Sequence, residues 1–95
     1  MSTVIRFSRR GRKKTPFYHL VVADSRETRD GRYIEKVGHW NPLLDGDDAI
    51  RFDKERIQHW LSVGAQPSTT VSRFFVDMEL GSDKQRKKWK AVLDR

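Results

Sequence analysis

The chain has 95 residues and carries 20 Lys and Arg against 13 Asp and Glu, a formal net charge of +7 at neutral pH, with three His and no Cys. A length of that order suits one domain with a small core, so function is expected on the surface rather than in a deep enclosed cavity. The lack of cysteine excludes disulfides, thiolate zinc sites, iron–sulfur clusters and thiol nucleophiles, and the positive balance points to a polyanion, nucleic acid ahead of an anionic membrane.

Thr3 to Ser8 alternates apolar and polar around Ile5 and Phe7 and predicts a half-buried strand. Arg9 to Thr15 is expected to be a loop, since five cations surround Gly11 and repel one another. Phe17 to Ala23 is apolar at nearly every position, which suits a central strand. Asp24 to Arg32 is read as a turn region ending in Asp30-Gly31, followed by a strand over Tyr33 to Trp40 that Asn41-Pro42 stops. Asp45-Gly46-Asp47-Asp48 is a further expected turn, before a short strand over Ala49 to Phe52.

From there the apolar period lengthens to that of a helix. Asp53 can cap a helix with Ile57, Trp60 and Leu61 on one face, ended by Gly64, and Ser68 can cap a second with Val71, Phe74, Phe75 and Met78 inward. Gly81 and Ser82 mark a boundary, after which residues 82–93 can form a helix with Trp89, Val92 and Leu93 as its apolar side. A helix that short and that rich in Lys is marginal alone. The fold class expected is α+β: a small mixed or antiparallel sheet of about four strands with two helices on one face, plus a basic C-terminal extension. Residues 1–80 are expected to form the domain and 81–95 a basic tail, either helical or disordered.

No apolar run approaches the roughly twenty residues of a spanning helix, and the basic N-terminal stretch lacks the apolar segment of a signal peptide. His19, His39 and His59 stand without partners at metal-ligand spacing, so neither metal nor cofactor is expected. Gly11 to Thr15 imitates the end of a phosphate loop but lacks its first glycine, and Pro16 blocks the helix that must follow. The Asp45 to Asp48 acids lack the rest of a calcium loop, and no nucleophile elbow surrounds Ser25. No enzyme and no small-molecule substrate are therefore expected. Residues 53–80 could serve as a helix-turn-helix DNA-binding module, the main alternative, but its second helix would offer only Arg73 to phosphates.

Charge is distributed unevenly: residues 1–36 carry +6, residues 37–80 carry −3, and residues 81–95 carry +4. The polyanion is expected at two basic segments, Arg9 to Lys14 and Arg26 to Lys36, where Arg26, Arg29 and Arg32 can spread over successive phosphates. Tyr18, Tyr33 and Trp40 offer aromatic faces for unpaired bases, with packing as the competing use. Lys84, Lys87, Lys88 and Lys90 are candidate contacts of the tail. Charged loops on a small rigid sheet suit folded RNA better than a DNA groove.

The stretch IRFSRRGRKKTPFYHLVVADSRETRDGRYIEKVGHWNP, with DKERIQHWLSVGAQPSTTVSRFF downstream, resembles the bacterial-type small-subunit ribosomal protein sixteen family over about residues 3–78. The resemblance implies an α+β protein that binds the 5′ domain of small-subunit ribosomal RNA and stabilises its folding during subunit assembly, without catalysis. Carried over by position, the RNA-facing residues are Ser8, Arg9, Arg10, Arg12, Lys13 and Lys14, then Ser25, Arg26, Arg29 and Arg32. Lys36, His39 and Asn41 follow on the adjoining strand. The partners implied are that RNA and neighbouring small-subunit proteins, with a monomer expected outside the ribosome and no membrane. A cytoplasmic ribosome is expected rather than an organellar one, because no presequence pattern precedes the domain.

Overall fold

The computed structural model describes residues 3–27, 32–44 and 49–93. Thr3–Arg12 (β1) and Thr15–Asp24 (β2) form a long antiparallel hairpin, in register from Thr3 opposite Asp24 to Arg12 opposite Thr15. The strand expected to end at Ser8 therefore runs on through the basic stretch, and only Lys13 and Lys14 turn. Like charges tolerate this because successive side chains of a strand point to opposite faces, which parts Arg9 from Arg10. Gly11 makes the tight end possible. Its φ is +90°, and a Cβ there would lie 2.4 Å from the Thr15 carbonyl oxygen.

Glu35–Trp40 (β3) pairs antiparallel with β2, and Ile50–Phe52 (β4) pairs antiparallel with β3. The β2–β3 register steps from Leu20 opposite Gly38 to Val21 opposite Lys36, leaving Val37 as a bulge. That extra residue turns Val37 into the core at 1% exposure and sends Lys36 to the opposite face of the sheet. The last strand is Gln66–Pro67 (β5), parallel to β1. Among the described residues the sheet order is β4-β3-β2-β1-β5, five strands where about four were expected. The fifth is two residues long and contains a proline, tolerable only at an edge, so periodicity cannot announce it.

Among the described residues three helices complete the fold, Lys54–Ser62 (α1), Thr69–Asp77 (α2) and Asp83–Leu93 (α3), the third lying in the basic extension. Asp53 accepts the Arg56 amide at 3.2 Å and Ser68 the Val71 amide at 3.3 Å, as the capping pattern predicts. Ser82 and Gln85 cap α3 reciprocally, the serine hydroxyl accepting the Gln85 amide at 3.1 Å and the Gln85 side chain accepting the Ser82 amide at 2.9 Å. Within the basic extension Asp83–Leu93 is thus a helix packed on α2, with Trp89 only 8% exposed against Phe75. Val92, expected on its apolar side, instead stands 49% exposed.

Ile5, Leu20, Val22 and Val37 of the sheet pack with Ile57, Leu61, Val71, Phe75 and Trp89 of the helices in one core, so the helices share one face of the sheet. Between α1 and α2 the chain joins the sheet as β5, which is not the tight turn of a helix-turn-helix. No helix among the described residues is long and apolar enough to cross a membrane. The expected turns at Asp30-Gly31 and at Asp45 to Asp48 lie outside the described residues.

Candidate nucleic-acid interface

Strand alternation and the β3 bulge decide what the sheet shows on the face turned away from the helices. β1 contributes Arg6, Ser8 and Arg10, β2 contributes Phe17, His19, Val21 and Ala23, β3 contributes Lys36 and His39, and β4 contributes Arg51. Ser8, His19, His39 and Arg51 stand side by side on one rung across four strands. The strands place no carboxylate there. Glu35 lies on the helix side, where it accepts Arg56 Nε at 2.8 Å and Nη2 at 2.6 Å.

This face has an aromatic centre and a basic border. The Phe17 ring lies 5.6 Å from His19, edge to face, and 5.3 Å from His39, tilted. Arg6 Nη2 donates to the Glu27 carbonyl at 2.9 Å, a reach that carries its stem across β2 and helps bury Val21 and Ala23. Ser8 is 1% exposed. Its hydroxyl, His19 Nδ1 and Arg10 Nε are buried polar atoms with no hydrogen-bond partner among the described residues, and all three belong to this face. Burial lowers the His19 pKa, and the charges of Lys36, Arg10 and His39 lower it further, which favours the neutral imidazole. An anion laid on the face would meet positive charge from strands that themselves contribute no carboxylate to it.

The sequence-predicted residues distribute around that face rather than in two loops. Ser8, Arg10, Lys36 and His39 lie on it, and Lys13 and Lys14 are exposed at the hairpin tip beside it. Arg9 points to the helix side, where its Nη2 donates to the Lys13 carbonyl at 3.3 Å. Ser25, Arg26 and Arg32 are exposed after β2 and before β3. Arg26 is already engaged: Nε and Nη2 meet the Asp24 carboxylate at 3.3 and 3.2 Å, a pairing that lowers the Asp24 pKa. Asn41 shapes its own turn, its side-chain oxygen accepting the Leu43 amide at 3.0 Å. Arg29 lies outside the described residues, as does the side chain of Arg12.

Lys84, Lys87, Lys88 and Lys90 are exposed on α3, on the helix side of the molecule. Arg6, Phe17, His19 and Arg51 were not anticipated as part of an interface. The signal for Arg6 was present, because Arg6, Ser8 and Arg10 alternate through β1 and a strand that runs on to Arg12 aligns all three. Among the described residues no three His, Asp or Glu side chains gather as a metal site.

A family model described as ribosomal protein S16 matches residues 9–68. A small ribosomal subunit protein, bS16, of Paramagnetospirillum magneticum is 56% identical over 82 residues, an alignment covering 84% of this chain and 67% of that protein. The chain belongs to the ribosomal protein S16 family, structural proteins of the small ribosomal subunit and not enzymes. The match begins at Arg9 and ends at Ser68, so it spans the hairpin tip, most of the basic face and the whole of α1.

Proposed function

We propose that this protein binds the 5′ domain of small-subunit ribosomal RNA through the basic sheet face and the hairpin tip, and that it holds that domain in its folded form as the subunit assembles. One observation carries the reading: Arg6, Arg10, Lys36 and Arg51 share a face with two histidines and no carboxylate from the strands. Packed RNA helices repel one another, and cations preorganised on a rigid sheet lower that repulsion while condensed counterions are released. Shape and phosphate geometry, rather than base edges, are what such a face can read. Ser25, Arg26 and Arg32, exposed between β2 and β3, and Asn41 after β3 add contacts beside it, with Arg29 proposed as a further contact from its place in the sequence. The free chain is a monomer, and the lysines of α3 meet a second stretch of RNA or a neighbouring protein.

Filter binding tests this with the folded 5′ domain, an unrelated duplex of equal length as competitor, and salt varied for both. Selective binding to the ribosomal domain that persists as salt rises is expected for the wild type. The charge reversals Arg10→Glu and Lys36→Glu, made together, are expected to abolish selectivity while the circular-dichroism spectrum stays native. Arg26→Glu, Arg29→Glu and Arg32→Glu in one chain are expected to do the same. Equal binding to both RNAs by the wild type would refute the 5′-domain reading.

A further inference from the structure

On the helix side, the aromatic layer of the sheet continues beyond the start of α2. Tyr18 and Trp40 stack across β2 and β3 with centroids 5.2 Å apart and planes 22° apart, and Phe7 abuts both at 5.9 and 5.4 Å. Phe74 of α2 closes on Trp40 edge to face at 5.0 Å. Core packing accounts for one side of this group only. The other side opens into a cleft of about 720 Å³ between the β1 edge and the start of α2, lined by Phe7, Tyr18, Trp40, Arg9, Thr69 and Thr70. Tyr18 and Trp40 are half-buried there, while Arg9, Thr69 and Thr70 are exposed.

We infer that this cleft seats one unpaired nucleotide of the bound RNA, its base against the Tyr18–Trp40 pair and its phosphate toward Arg9. The inference rests on the RNA-binding reading above and adds a second contact on the opposite side of the sheet. The chemistry is complementary at each part of a nucleotide. Aromatic rings stack on any base, a guanidinium meets phosphate, and the hydroxyls of Thr69 and Thr70 can bond ribose or phosphate oxygens. Arg9 sits on the same rung as Tyr18 and Trp40, so cation and aromatic pair share one level of the sheet. Continuity favours RNA over an apolar peptide, because the cleft opens beside the basic hairpin that carries Lys13 and Lys14. A base-paired helix does not fit the reading, since its bases are not free to stack on a protein ring.

Nuclear magnetic resonance of the labelled full chain tests it directly. Penta-adenosine RNA is titrated in, with a blunt duplex of the same length and inorganic phosphate as controls. The Trp40 indole, assigned through Trp40→Phe, and the Thr69 and Thr70 amides are expected to shift saturably with the single strand, and the Trp60 and Trp89 indoles to stay still. The duplex is expected to move Lys36 and His39 instead. Thr70→Glu separates binding from folding: an acid in the first helical turn favours the helix but repels phosphate. It is expected to weaken single-strand binding about tenfold, the scale of one lost contact, without lowering the melting temperature. An unmoved Trp40 indole, or single-strand binding unaffected by Thr70→Glu, overturns the inference. A wild type that does not prefer the 5′ domain, yet shifts Trp40 with the single strand, would sink the ribosomal-domain reading and leave the cleft assignment standing.

Discussion

His19 ties the basic face to the stability of the fold. Its neighbours across the face are Arg10, Lys36 and His39, with Phe17 against the ring, and no carboxylate from the strands offsets them. Its folded pKa is lowered, by burial first, so the folded protein keeps the ring neutral where the unfolded chain protonates it near 6.5. The unfolded state then binds more protons, and the stability that His19 contributes is complete above about pH 6.5 and is lost as pH falls below it. The urea midpoint is expected to fall on acidification through that range, and His19→Gln to remove that part of the fall. Glu35 acts in a separate and more acidic window. Hydrogen bonds from Arg56 lower its pKa, so its contribution is present above the usual carboxylate value and fades as pH drops through the lowered one. Glu35→Gln is expected to flatten the acid limb of the same profile and leave the limb near neutrality unchanged.

At the scale of elements, α3 is where local signals and tertiary contacts part company. A short lysine-rich helix is not stable alone, and this one is held at several points. Trp89 packs on Phe75, Arg86 Nη1 donates to the Glu79 and Gly81 carbonyls at 3.0 and 2.5 Å, and the Gln85 side chain donates to the Leu61 carbonyl at 3.2 Å. Arg86 also pairs with Asp83. Trp89→Ala is therefore expected to cost about 3–5 kcal/mol of domain stability, read by denaturant titration. A change below about 1 kcal/mol would mean that α3 only rests on the domain. The helix caps at Asp53, Ser68 and Ser82 were legible because a cap is written within four residues. β5, the extension of β1 to Arg12 and the bulge at Val37 were not, because each depends on a partner strand distant in sequence. The basic segments stand out by charge, but the face that Arg10 and Lys36 share required the bulge, since without it Lys36 would point toward the helices.

For the whole molecule the question is how many of its charges one RNA can feel. Charges in water are screened over about 8–10 Å at physiological salt, whereas the protein measures 37 × 31 × 28 Å. An RNA helix on the basic sheet face therefore does not count the lysines of α3, which lie beyond the core on the helix side. About six phosphates met on the basic face and hairpin should by themselves contribute about −4 to −5 to the slope of log affinity against log salt. Removing Arg10 and Lys36 as Arg10→Gln and Lys36→Gln should flatten that slope by about 1.5. Changing Lys84, Lys87, Lys88 and Lys90 to Gln discriminates between two arrangements and, unlike deletion of the segment, keeps Trp89 in the core. A slope unchanged by the four substitutions means that the RNA stays on one side of the sheet. A slope flattened by about 3 means that a second RNA segment reaches the helix side, where the Tyr18–Trp40 cleft also opens. Because the protein would then sit between two RNA segments, the second outcome is the one expected of a chain that holds a folded domain together, and filter binding across a salt series reads it.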